Sequence, residues 1–289
     1  MLKIRWLTIY TLGWFLLILL TNKLYSQTLS DSTNSASGKS FISSVAGDFG
    51  YVFSAPFRMQ QKDILNLAGF AAVNTGFILG VDGAFDDEFV FQDAPLETVD
   101  GLEQSTKGIA RLGEVYDKIG TAQFAIGLSA GMLTGGLVFK DKKLLKTTRL
   151  LIESLIITQV ITTVSKGIFS RARPFTNEGP QNFNLLAFSQ DNEYRSFPSG
   201  HTSSIFSMMT VIAKQYNKWW IKIPAYTFAV SVGVQRMDSR NHWMSDVFVG
   251  GSLGYWVSTM LVNRHKTGSQ DSILQPYFSG NQFGLLMKL

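Results

Sequence analysis

Ser196-Phe197-Pro198-Ser199-Gly200-His201-Thr202 joins a proline, small residues and a histidine to an apolar run, Ile205 to Ala213. The pattern predicts a tight turn feeding a helix, whose first turn presents backbone N–H groups that no helical carbonyl takes up. Those groups and the helix dipole both favour an anion, so the helix start suits a phosphate. His201 stands where an imidazole could protonate a bound group. Further on, His242 and Asp246 are spaced i, i+4, which on a helix puts them on one face. Asp246 then accepts from one imidazole nitrogen, fixing the tautomer and leaving the other as a lone-pair nucleophile. The chain has three histidines, and two fall in these stretches.

Cations flank both. Lys166 sits near the end of an apolar helix, and Arg173 precedes Pro174. A residue before proline is pushed out of α geometry, so Arg173 lies just past the helix end. Arg236 stands five residues ahead of His242; Arg240 is nearer, but with Asp238 it is assigned to the turn. Arginine offers phosphate a fork of donors and lysine a point charge. The absence of cysteine excludes disulfides, thiolate metal sites and a cysteine nucleophile. Gly250, Ser252 and Gly254 match GxSxG, yet they fall inside an apolar helix and not on a strand-to-helix turn, so they read as packing positions. Asp86-Asp87-Glu88 reads as part of a solvated acidic loop, because no metal-ligand spacing follows it.

The order and spacing of these pieces resemble the type 2 phosphatidic acid phosphatase and vanadium haloperoxidase superfamily, whose pattern is KxxxxxxRP, then PSGH, then SRxxxxxHxxxD. The resemblance covers roughly residues 120–262, and one position departs: Gln235 stands where the family has Ser. It implies a metal-independent phosphoric monoester hydrolase built as a helical bundle. His242 would attack phosphorus and form a phosphohistidine, with Asp246 orienting it. His201 would protonate the leaving oxygen and then activate water. Lys166, Arg173 and Arg236 would hold the non-bridging oxygens, and Ser199 and Gly200 would donate at the helix start. The implied substrate is a phosphate monoester or pyrophosphate, most readily of a lipid. Two alternatives stay open: a vanadate-dependent haloperoxidase with His242 as metal ligand, and a non-enzymatic helical membrane scaffold with a relict site.

The rest of the chain must position these groups. It is 45% hydrophobic and 16% charged, below the roughly 25% charge of ordinary soluble domains, with mean hydropathy +0.11. Both point to a membrane or a thick helical core. Of the net charge of +5, Lys3, Arg5 and Lys23 supply three, leaving about +2. No basic stripe interleaves with aromatics, so a nucleic-acid partner is not expected. Residues 1–26 read as a signal peptide, with Lys3 and Arg5 ahead of an apolar Trp6 to Leu20 and a cleavage site after Ser26; an uncleaved anchor is the other reading. Residues 27–64 read as linker and N-terminal segment, residues 27–45 being polar and aperiodic.

Helices are expected over Leu65–Val81, Gly120–Phe139, Leu150–Phe169, Thr202–Ala213, Ile223–Val234 and Val247–Val262. Ala68, Ala72, Gly76 and Gly80, and likewise Gly127, Gly131 and Gly135, form small-residue stripes predicted to admit a neighbouring helix. Residues 82–119 read as an acidic loop at first, and alternation appears only near Pro276 to Lys288. The expected fold is all-α: a bundle of about six core helices, membrane-embedded or membrane-associated. Residues 65–265 form the phosphatase helical domain and 266–289 a C-terminal tail.

Basic segments (Lys140 to Arg149; Lys214, Lys218 and Lys222; Arg264 and Lys266) alternate with the motif segments. The positive-inside rule puts the former in the cytoplasm and the motifs on the periplasmic face of a bacterial envelope. A conflict follows. A cleaved signal peptide leaves residue 27 outside, whereas Leu65–Val81 would have to run from inside to outside. Either that helix does not span, or the leader is not cleaved, or the whole chain is periplasmic.

Overall fold

The computed structural model describes residues 41–88, 101–267, 274–279 and 282–287. The expected signal peptide and residues 27–40 lie outside the described residues. Helix α1 (Phe41–Phe53) comes first, then α2 (Gln61–Gly76), a π turn (Phe77–Val81) and α3 (Asp82–Glu88). After the undescribed 89–100 come α4 (Gly101–Ile119), α5 (Thr121–Val138) and α6 (Lys142–Phe169). An irregular connection leads to α7 (Gly200–Tyr216), α8 (Trp219–Asp238) and α9 (Met244–Thr267). An antiparallel hairpin, β1 (Leu274–Ser279) with β2 (Gln282–Met287), closes the chain where the alternation was read.

The helical bundle is as expected; α6 to α9 extend beyond the expected bounds, while α5 is one residue shorter at each end. α7 buries Ile205, Met208, Met209 and Val211 against Leu150, Leu151 and Leu155 of α6, Ala229 and Val232 of α8, and Val262 of α9. Among the described residues, three helices are long and apolar enough to cross a membrane: Gln61–Ala84, Thr121–Val138 and Lys142–Phe169. At mid-height, buried hydroxyls tie α6, α7 and α9 together. Ser154 Oγ lies 2.7 Å from Ser207 Oγ and 2.6 Å from Ser258 Oγ, and Ser258 donates to the Ser207 carbonyl at 2.9 Å.

Several expectations change. The polar stretch 27–45 is not linker to its end, because α1 starts at Phe41 and packs Val45, Phe49 and Val52 onto α6 and α9. Residues 82–88 are helical, and 101–119 form α4. The acidity at 82–88 that suggested a solvated loop serves pairing: Asp82 and Asp86, one turn apart, meet Arg171 and Arg240. The Lys140–Arg149 turn is short, since α6 begins at Lys142, capped by Asp141. Among the described residues the small-residue stripes admit a helix only at Gly135, where a Cβ would lie 3.4 Å from Leu144 Cδ2 of α6. A Cβ at Gly76, Gly80, Gly127 or Gly131 would meet nothing within 4 Å, so these faces point outward.

Close helix approach occurs elsewhere, and it matters for the site. A Cβ on Gly113 of α4 would fall 2.2 Å from the Ser231 carbonyl oxygen of α8, and one on Gly254 of α9 would fall 2.3 Å from the Ser203 oxygen of α7. Rigid backbone leaves no room to yield. Gly113→Ala is expected to push α4 off α8 and lower unfolding stability by about 1–3 kcal/mol. Denaturant titration in detergent measures it. Gly127→Ala, facing open space, serves as the neutral control.

The helix ends sort into two poles. Lys146 Nζ donates to the His265 carbonyl at 3.1 Å, and Lys143 lies over the Tyr216 ring, so the start of α6 meets the ends of α7 and α9. α1 sits at this basic pole, where Arg264 donates to the Gly47 carbonyl at 2.7 Å and Asp48 pairs with His265 at 2.8 Å. α2 therefore leads from the basic pole to the opposite one, where Asp82 meets Arg171. It runs the height of the bundle.

Candidate active site

The pole opposite the basic turns collects every motif residue. It is built from the end of α6, the connection after it, the start of α7, the end of α8 and the start of α9. Ser199 caps α7: its hydroxyl accepts from Thr202 N and lies 2.9 Å from Thr202 Oγ1. Its backbone N–H donates to the Asp246 carbonyl at 3.0 Å, which fixes the start of α7 against α9. Gly250, one turn on in α9, makes this contact possible, since a Cβ there would sit 2.6 Å from the Ser199 carbonyl oxygen. The backbone N–H groups of Gly200 and His201 begin the helix and look out of its end.

Lys166 reaches from the last turn of α6 toward that helix start. A Cβ on Gly200 would lie 3.6 Å from Lys166 Cε, and the ammonium donates to the Ser196 carbonyl at 3.1 Å and to that of Arg195. Arg173 stands just past α6 in extended geometry ahead of Pro174, as expected. Its guanidinium is held by Asn192 O at 2.8 Å, Asn192 Oδ1 at 3.0 Å and Asn241 Oδ1 at 3.1 Å. Burial and then Arg236 lower it to about 10, so it stays charged at neutral pH.

His242 lies on the turn between α8 and α9 and is buried, with Nδ1 3.5 Å from Asp246 Oδ2. The Asp246 carboxylate is saturated. Oδ2 accepts from Ser196 Oγ and from Trp243 N at 3.0 Å, and Oδ1 accepts from Arg171 at 2.5 Å. Burial, reinforced by Lys166 and Arg173, holds the His242 imidazole well below its usual value even with Asp246 beside it. It is neutral at pH 7, with the second ring nitrogen left as the lone-pair donor. His201, one-third exposed, is lowered to about 4 by burial and then Arg236, with Asp117 opposing.

Lys166, Arg173, His201, Arg236, His242 and Asp246 are thus brought together. Arg240 is not among them, because it forms a two-pronged pair with Asp86 at 2.6 and 2.9 Å. Ser252 lies within α9 facing an apolar cavity with Phe206, Met237, Tyr255 and Trp256, away from any nucleophile elbow. Residues 147–268 match the model of the PAP2 superfamily. Over this segment the chain resembles that superfamily.

The chain is 29% identical over 107 residues to the lipid A 1-phosphatase of Porphyromonas gingivalis, covering 30% of this chain and 24% of that protein. The chain thus spans about a quarter of that relative's length. It is 32% identical over 139 residues to the undecaprenyl-diphosphatase of Sulfolobus acidocaldarius, covering 48% of this chain and 64% of that one. The crystal structure of a transmembrane PAP2-type phosphatidylglycerolphosphate phosphatase from Bacillus subtilis superposes with a TM-score of 0.48 at 22% identity, covering 71% of this chain and 94% of that one.

Sequence reasoning missed three residues that complete the candidate site. Arg171 is fully buried between the Phe183 and Trp243 rings and bridges Asp246 to Asp82. Asp82 in turn accepts from Ser245 N at 2.9 Å and Ser245 Oγ at 2.6 Å. Asp117 of α4 pairs with Arg236 Nη1, and its Oδ1 lies 3.5 Å from His201 Nε2. The repeated arginine at 171 and 173 was a visible signal. The two aspartates lay in the segment read as a loop.

Proposed function

We propose that this protein is a metal-independent lipid phosphate phosphatase of the PAP2 superfamily, acting on a monoester or pyrophosphate through a phosphohistidine. The observation that carries the reading is the buried, neutral His242 aimed by Asp246 beside the start of α7, with three cations around the same point. The relatives named as lipid A 1-phosphatase and undecaprenyl-diphosphatase favour a lipid, as do the apolar faces of α2 and α5.

In the first step the free His242 nitrogen bonds to phosphorus as the bond to the leaving oxygen breaks. That oxygen keeps the electron pair and takes a proton from His201. Water then attacks phosphorus, the P–N bond breaks, and His201 takes the proton water gives up. Lys166, Arg173 and Arg236 neutralise the equatorial oxygens, the Gly200 N–H donates at the helix start, and Ser199 sets that start by capping it. Phosphoryl transfer asks mainly for such positioning and charge stabilisation.

With the basic pole in the cytoplasm, the site faces the periplasm. α1 then lies on the cytoplasmic side, which fits an uncleaved leader and not a cleaved one. The helical domain assigned to 65–265 extends to α1 at one end.

The test is hydrolysis of a lipid phosphate by purified protein in chelator, with halide oxidation in added vanadate as the counter-assay. Peroxidase turnover without hydrolysis would overturn the reading. The pH profile is a second check. Free His201 is neutral above about pH 4, so the proton for the leaving group must arrive on a monoanionic substrate. kcat/KM is therefore expected to fall about tenfold per pH unit above the substrate's second ionisation, near pH 6. A profile flat to pH 8 would contradict this.

A further inference from the structure

Asp117 is the one carboxylate among the described residues, outside the motifs, that touches two of the motif residues. It arrives on α4, outside the PAP2 segment. Its Oδ1 accepts from Arg236 Nη1 and lies 3.5 Å from His201 Nε2. Its Oδ2 faces Gln235 Nε2 at 3.4 Å. Gln235 is the single departure from the family pattern, and here it reaches the carboxylate. Tyr116, the neighbour of Asp117, is buried edge-on to the His201 ring with centroids 6.1 Å apart. Gly113, one turn earlier, lets α4 lie directly on the α8 backbone. This end of α4 is therefore pinned against α8 where Asp117 meets the site.

We propose that Asp117 is the positioning residue for His201, forming with it a second histidine–carboxylate pair that holds the proton delivered to the leaving oxygen. The charged groups facing His201 are Lys166 from α6, Arg173 from the connection, Arg236 from α8 and Asp117 from α4. Three are cations that expel a proton from the imidazole. Only Asp117 retains it, and by pairing with Arg236 it also blunts the nearest cation. His242 has no such need, because it must be unprotonated to attack. Both imidazoles face a carboxylate at 3.5 Å, but His242 is buried and its Asp246 is already held by Arg171, Ser196 and Trp243, whereas His201 is one-third exposed at the mouth of the site. Such differences of surroundings are how neighbouring titratable groups divide acid and nucleophile roles.

The proposal rests on the reading of His201 as the acid, and leaving-group dependence separates the two. Loss of an acid harms an alkyl phosphate, whose leaving alkoxide needs a proton, far more than 4-nitrophenyl phosphate, whose leaving phenolate does not. Asp117→Asn is expected to lower kcat on an alkyl phosphate by about 10- to 100-fold and on 4-nitrophenyl phosphate by less than about threefold. The alkaline limb of kcat for the alkyl ester should move down by about one pH unit, with KM unchanged, and Asp117→Glu should restore part of the rate. Equal losses on both esters, or a gain on both, would overturn the proposal. His201→Ala is the control. If it shows the split while Asp117→Asn does not, the Asp117 inference fails alone. If it shows none, the role given to His201 fails with it.

Discussion

His242→Ala lowers turnover of a phosphate monoester by about 10⁴-fold or more while the protein remains folded. The expectation follows from what His242 does not do. Its ring is buried, yet its one partner is Asp246, which keeps Arg171, Ser196 and Trp243 without it. Truncation leaves no buried charge unpaired, so the loss is of chemistry and not of fold. Trapping extends the test. Acid-labile, alkali-stable phosphate should appear on wild-type protein and vanish in His242→Ala. In His201→Ala, 4-nitrophenyl phosphate should still load the enzyme, since that leaving group needs no proton. Label should then accumulate, because the second step lacks its base. Label retained in His242→Ala would reassign the nucleophile.

Arg171→Met is expected to produce the largest loss of stability of any single change at this pole, about 3–5 kcal/mol, by stripping its cation from a buried ion network. Arg171 is wholly buried, and its guanidinium faces two equally buried carboxylates, Asp82 at 2.8 Å and Asp246 at 2.5 Å. Removing it leaves both uncompensated where water cannot reach. Asp82→Asn should cost less, since Arg171 keeps Asp246 and the amide can still accept from Ser245. Thermal unfolding in one detergent should rank wild type above Asp82→Asn and both above Arg171→Met. Adding Asp82→Asn to Arg171→Met should recover part of the loss, because one stranded charge disappears. The reverse ranking would show that the network is solvated.

The motif residues were legible in sequence because phosphoryl chemistry constrains both residue type and spacing. A nucleophile and its carboxylate must lie within reach of one another, and an anion site needs a helix start. Here His242 is on the turn just ahead of α9 and Asp246 in its first turn, not on one helix face as the i, i+4 spacing suggested. α5 was legible from an uncharged apolar run, and α6 from an apolar run of helical spacing interrupted by Glu153 and Gln159. What escaped came from segments with no strong period. Asp82, Asp86 and Asp117 occupy an acidic stretch whose partners, Arg171, Arg240 and Arg236, lie far along the chain, so nothing local distinguishes pairing from solvation. The small-residue stripes misled for a related reason. Spacing marks where a helix can approach, while Gly113 and Gly254 show that approach is decided by the backbone on the other side. Gln235, the one departure from the family pattern, donates at 3.4 Å to Asp117, a residue no local pattern could supply.

The three serines at mid-bundle touch no substrate group, but they bear on all of it. Apolar helices in contact can slip by one turn at little energetic cost, because one methyl is much like the next. Hydroxyls cannot, since each slip would strand donors that have no water to turn to. Ser154, Ser207 and Ser258 belong to the three helices that bear Lys166, His201 and Asp246. They act as a registration mark, like the pin that aligns printing plates. They give a greasy bundle the vertical exactness its polar end requires.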